Sequence, residues 1–140
     1  MLLAFHGMHR SEAVLSRALR TDNLRGTNRA CMVAVARAEG FRVRARGMTL
    51  IDLRRHVSVG EPVIVNYIEP SDEVGHFAVV ASCDATNITL ADPWNGEHLV
   101  LPVREFSRRW LGYKTRDTRK GWGMVAWPRS ALSLRGARAA

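Results

Sequence analysis

The run Val74-Gly75-His76-Phe77-Ala78-Val79-Val80-Ala81-Ser82-Cys83-Asp84-Ala85-Thr86-Asn87-Ile88-Thr89-Leu90-Ala91-Asp92-Pro93-Trp94-Asn95-Gly96 decides how this chain folds. Two β-rich segments, Phe77 to Ser82 and Ile88 to Leu90, flank Cys83 to Asn87, where Asp84 and Asn87 tolerate the left-handed backbone of a short antiparallel connection. His76 and Asp92 lie almost symmetrically about that turn. Pairing the strands sets them opposite or diagonal to one another, at Cβ separations of about 5 to 8 Å. A carboxylate against an imidazole fixes its tautomer and stabilises its cation, which nucleophilic acyl transfer requires.

Outward from the hairpin, the 140 residues suffice for one domain with a real core and no disulfide support. A content of 46% hydrophobic and 24% charged residues is that of a globular chain. No apolar run reaches the roughly 20 residues that span a bilayer, and Met1 to Phe5 lacks the basic flank and length of a signal peptide. The chain is therefore expected not to span a membrane, and a cytoplasmic location is expected. Its net charge of +8 is carried almost wholly by arginines spread from Arg10 to Arg138, accompanied only by Lys114 and Lys120. No helix-turn-helix, zinc-finger or RNP pattern goes with them, so they read as solvated faces rather than a nucleic-acid footprint. Cys31 and Cys83 show neither paired metal-ligand spacing nor a disulfide framework, and no metal or cofactor is expected.

Helices are expected at Met1 to Phe5, where the pattern is that of the back half of a helix begun earlier, and from the N-cap Ser11 along an apolar face of Val14, Leu15, Ala18 and Leu19. A third starts at Thr27 or Asn28 and stops at Gly40. Phe41, Val43 and Ala45 alternate with arginines as an edge or half-exposed strand, and Thr49 to Asp52 resembles a capping box opening a short helix. Val63 to Val65 reads as a strand buried on both sides, with a polar loop from Glu69 to Glu73 after it. Beyond the hairpin, Asn95-Gly96 is a turn, His98 to Leu101 a strand, and Pro102 leads into a helix carrying Phe106 and Trp110 and closed by Gly112. A basic loop from Lys114 to Lys120 precedes a last strand from Trp122 to Trp127, and residues 129–140 form a basic tail beyond a domain at 1–128. Helices first, then strands with one late helix, give an α+β fold on a mainly antiparallel sheet.

The order Leu50-Ile51-Asp52-Leu53, Gly60-Glu61-Pro62-Val63-Ile64-Val65, Gly75-His76-Phe77-Ala78-Val79-Val80, Ala91-Asp92-Pro93-Trp94-Asn95-Gly96, then Phe106 and Trp110-Leu111-Gly112 resembles the C39 peptidases and their C39-like relatives. The resemblance covers roughly Met1 to Trp127. Members of that family are papain-fold cysteine peptidases, best known for removing double-glycine leader peptides at bacterial ABC exporters. The resemblance implies a papain-like fold, a peptide or protein substrate, and an ABC exporter or other membrane partner. It also implies that His76 is the base and Asp92 its orienter, with Trp94 and Gly96 shaping the turn that follows.

In that family a Cys-Gly pair opens the first helix, a few residues after a glutamine that serves the oxyanion hole, and neither is in this chain. Cys83, at the far end of the hairpin, lies roughly 20 Å from His76 at about 3.3 Å per residue. Cys31 falls in the first turn of a predicted helix, where the dipole favours a thiolate, but the resemblance buries that helix elsewhere and Cys31 reads as a small core residue. His6, His9, His56 and His98 read as surface residues, and Phe106, Trp110, Trp122 and Trp127 as core. Three functions follow: a cysteine peptidase whose nucleophile lies upstream, an inactive C39-like module that binds a peptide or partner, and, third, a basic domain for nucleic acid.

Overall fold

The computed structural model describes residues 1–22, 26–92, 98–112 and 120–129. Its element order is α1 (Leu2–Phe5), α2 (Glu12–Ala18), α3 (Arg29–Ala38), β1 (Phe41–Met48), α4 (Leu50–Ser58), β2 (Val63–Ile68), β3 (Gly75–Cys83), β4 (Asn87–Ala91), β5 (His98–Pro102), α5 (Val103–Arg109) and β6 (Gly121–Pro128). The strands form one six-stranded sheet in the order β1-β6-β2-β3-β4-β5, and the expected α+β class holds. The turn Asn95-Gly96, most of the basic loop 114–120 and the tail beyond Arg129 lie outside the described residues.

By its contacts the chain divides into two compact units, residues 1–44 with 126–140, and residues 45–125. In the first, Ser11 caps α2 by accepting the Val14 N–H, and Asn28 caps α3 by accepting that of Ala30 at 2.7 Å. Gly40 closes α3 in the left-handed region (φ 92°), a conformation that would strain any other residue. The expected apolar face of α2 is not buried: Val14 is exposed, and the helix has no buried residue. The core here comes instead from Leu2, Met8, Ala36, Phe41 and Ala126, with Arg44 lying over the Trp127 ring.

In the second unit, α4 begins with the expected capping box. Thr49 Oγ1 accepts the Asp52 N–H at 3.2 Å, and Asp52 Oδ2 accepts the Thr49 N–H at 2.8 Å. Burial pushes the Asp52 carboxyl upward, but the Thr49 donors and the Arg46 guanidinium outweigh it and hold the group down at about 2. Strand β2 runs three residues past Val65, with Val63, Val65 and Tyr67 buried on one face and Ile64 only half-buried on the other. It pairs antiparallel with β6 over Val63 to Val65 and with β3 along its whole length, Val63 opposite Val80 and Tyr67 opposite His76.

The late helix stops sooner than its sequence suggests. Trp110 leaves α5 in an extended conformation and bridges Tyr67, and the next N–H, of Leu111, bonds to the Asn66 carbonyl at 2.9 Å. Beyond Val65, where β6 no longer pairs with it, β2 thus meets the chain that leaves α5, and this satisfaction of strand groups prevails over one more helical turn. The Trp110 indole donates to the Trp122 carbonyl at 2.9 Å and covers Gly121, where a Cβ would run into the ring. Gly121→Ala is expected to cost about 1 to 3 kcal/mol through overpacking, measurable as a lower urea midpoint at unchanged slope.

Candidate active site

The hairpin forms as read, but its turn works differently. Among the described residues only Arg20 and Glu73 take a positive φ without being glycine, so no left-handed residue closes the connection. Asp84 closes it with its side chain: Oδ1 accepts the N–H of Thr86 at 2.7 Å and of Asn87 at 2.8 Å, and these bonds, the Asn87 one first, hold its carboxyl below the usual range.

The ladder then shifts. Cys83 pairs with Ile88 and Ser82 with Thr89, whereas Val80 pairs with Leu90 and Val79 with Ala91. Ala81 is the extra residue of a bulge, and it and Ser82 are both exposed. Extending the inner register by one step sets Asp92 beside Ala78, two residues from His76 and therefore on the same face of the sheet. Had the turn-side register continued unshifted, Asp92 would stand beside Val79, whose side chain points the other way.

His76 and Asp92 meet as the spacing predicts, diagonally, with His76 Nε2 2.7 Å from Asp92 Oδ1. The Asp92 side chain has 0% exposure and the His76 side chain 20%, so the carboxylate is sealed while the imidazole reaches the surface. A third residue, absent from the sequence-based site, completes the group. Tyr67, fully buried on β2 and opposite His76, donates its hydroxyl to Asp92 Oδ2 at 2.5 Å. The alternation of Val63, Val65 and Tyr67 was the available signal, since it puts the phenol on the buried face. Behind His76, Asn66 Nδ2 donates to the His76 carbonyl at 3.0 Å and steadies its backbone.

The loop feeding β3 is organised by a second buried carboxylate. Glu69 Oε2 accepts the N–H groups of Ser71 and Asp72 at 2.8 and 2.9 Å and the Ser71 hydroxyl at 2.5 Å. Glu73, at φ 54°, pairs with Arg109 at 3.0 Å, and Arg109 also binds Glu105 at 2.9 Å. Glu73, Glu105 and Arg109, with Ile68 and Arg108, line an open cleft of about 430 Å³ at the end of β2, where Ile68 pairs with Gly75.

Two histidines read as surface residues have structural surroundings instead. The turn at Gly60 returns Glu61 to the end of α4, where its Oε2 lies 2.7 Å from His56 Nδ1, and the His56 side chain is 13% exposed. His6 packs between Phe5 and Phe41, its Nε2 is buried without a hydrogen-bond partner among the described residues, and burial lowers its pKa against a bond to the Ala126 backbone. Of the expected core aromatics, Phe106 and Trp122 are buried and Trp110 and Trp127 half-buried. Among the described residues no three His, Cys, Asp or Glu side chains gather as a metal site, and no helix is long and apolar enough to cross a membrane. Trp94 and Gly96 lie outside the described residues.

The fold is shared with solved peptidase domains. It is similar to the peptidase domain of Streptococcus ComA, a bi-functional ABC transporter involved in a quorum-sensing pathway, with a TM-score of 0.73 at 20% identity over 91% of this chain and 85% of that one. The peptidase domain of Streptococcus mutans ComA matches with a TM-score of 0.61 at 23% identity, over 83% and 88% of the two chains. Residues 1–115 match the model of the Peptidase C39 family, and the chain belongs to that family. An uncharacterised protein of Methanothermobacter marburgensis is 37% identical over 91 residues, 64% of this chain and 57% of the relative. One from Methanothermobacter thermautotrophicus is 34% identical over 107 residues, 76% of this chain and 68% of the relative. The chain thus spans 57% of the first relative and 68% of the second.

Burial first, and then the Asp92 carboxylate, push the Tyr67 phenol well above the ordinary tyrosine range. A phenol whose pKa is raised on folding stabilises the fold fully below about pH 10, the unfolded value, and loses that contribution as pH rises from there towards the folded value. Urea titrations between about pH 9 and 11.5 should therefore show stability falling in the parent and a shallower fall in Tyr67→Phe; equal slopes would contradict this.

Proposed function

We propose that this chain is a cysteine-peptidase-type domain acting on peptides, in which His76 is the general base and Asp92 orients it. The observation that carries the proposal is the contact of His76 Nε2 with a carboxylate of 0% exposure. With Nε2 engaged, Nδ1 is the nitrogen through which the imidazole exchanges a proton with a thiol. In the reaction Nδ1 takes the thiol proton, the sulfur bonds to the scissile carbonyl carbon, and the carbon–nitrogen bond breaks as the imidazolium protonates the leaving amine. Water, deprotonated by Nδ1, then hydrolyses the thioester and the sulfur recovers its proton. The likeness to ComA peptidase domains favours a leader-type peptide and an exporter as partner.

The scheme requires a thiol within reach of Nδ1. Cys83 sits at the turn end of β3, and burial pushes its thiol upward, which makes it a poor nucleophile. That same observation favours a second reading, a C39-type module that binds peptides without cleaving them.

The test uses the full-length protein, incubated with a synthetic peptide containing a Gly-Gly leader junction and followed by mass spectrometry. Cleavage at the junction, slowed by about 10² or more in His76→Ala, is the expected result. Saturable binding of a fluorescent version of the peptide with no cleavage would establish the second reading, and cleavage unaffected by His76→Ala would overturn the first.

A further inference from the structure

We infer that Tyr67 is a positioning residue for the His76–Asp92 pair: its hydroxyl holds one carboxylate oxygen so that the other stays aimed at the imidazole. The inference rests on the reading of His76 and Asp92 as a working pair, but its test reads the His76–Asp92 bond and Tyr67 themselves.

The geometry leaves the carboxylate little freedom. Oδ1 faces His76 Nε2 at 2.7 Å and Oδ2 receives the Tyr67 hydroxyl at 2.5 Å. Rotation of the carboxylate about its Cβ–Cγ bond therefore disturbs two charge-assisted hydrogen bonds on a side chain of 0% exposure, where an unmet charged oxygen is costly. The phenol is itself fixed. Its ring stands edge-on to the His76 ring at 6.3 Å and rests on Phe106 at 6.4 Å. Its backbone pairs with His76 on one side and with Trp110 on the other. Tyr67 is thus held on both flanks of β2, and its single hydroxyl proton is spent on Asp92.

A tyrosine that merely fills the core would make the same apolar contacts without the hydroxyl, so removing the oxygen alone separates the two roles. The charged and titratable groups that bear on it are Asp92 and Glu69, which favour the neutral phenol, Arg109 on α5, which favours the phenolate, and His76 across the strand pair.

The experiment compares the His76 Nε2 proton by NMR in the parent and in Tyr67→Phe. With one carboxylate oxygen released, Asp92 should hold that proton less well, and its exchange with water should be about tenfold or more faster in the variant. The reciprocal arm places 3-fluorotyrosine in the protein and compares the parent with Asp92→Asn. The Tyr67 fluorine titration should fall towards that of an exposed phenol once the carboxylate is neutral. If Tyr67→Phe does not fold, this second arm decides. A folded Tyr67→Phe whose Nε2 proton exchanges within about twofold of the parent, or a Tyr67 titration indifferent to Asp92→Asn, overturns the inference. If the peptide of the cleavage assay is not cut but both arms read as stated, the positioning role stands and only the peptidase reading falls.

Discussion

A carboxylate withdrawn from water must be met by donors, and at Asp92 they come from two strands at once. The β3 imidazole takes one oxygen and the β2 phenol the other. Burying a charge without such partners costs several kcal/mol, so the position of Asp92 constrains the register of β4 on β3 and of β3 on β2. Tyr67 lies directly opposite His76, and Asp92 lies diagonally from it, which is the arrangement in which one carboxylate reaches both. The apolar residues on the same face, Val63, Val65, Ala78, Val80, Ile88 and Leu90, are buried by that same register. Packing and polar satisfaction therefore select one alignment together.

The bulge at Ala81 reconciles that alignment with the turn. Asp84 organises the connection around Thr86 and Asn87, which sets Cys83 opposite Ile88. Carried inward without a shift, this register would present Asp92 on the wrong face. One extra residue absorbs the difference, at a point where Ala81 and Ser82 are exposed and the lost pairing is met by solvent. A local irregularity far from the imidazole thus decides whether the imidazole has a partner. The Glu69 loop serves the other end of β3 in the same manner, with a buried carboxylate collecting the N–H groups of Ser71 and Asp72 just ahead of Gly75.

The α+β class, the capping box of α4 and the His76–Asp92 contact were all legible in the sequence because each rests on short-range spacing. Hydrophobic alternation, a Thr49–Asp52 pair three residues apart, and two residues placed about a turn are local signals. What escaped depends on pairing between distant segments. Tyr67 finds Asp92 only once β2 and β3 are aligned, and Trp110 leaves its helix only because the end of β2 is there to be paired. Ala81 has no residue-type signature of a bulge, since it is not a glycine and keeps ordinary backbone angles. His56 and Glu61 come together through the return turn at Gly60, a contact that helical periodicity does not show. The exposure of Val14 is the converse case, an apolar pattern that the fold does not bury.

The structure holds His76 Nε2 against Asp92, and we propose that Nδ1 is the nitrogen that exchanges the proton. Long-range proton–nitrogen correlation spectra of the neutral His76 imidazole test this most directly. A neutral ring protonated on Nε2, with a downfield Nε2 proton that disappears in Asp92→Asn, is the predicted result. A ring protonated on Nδ1, or an Nε2 proton indifferent to Asp92→Asn, would contradict the account.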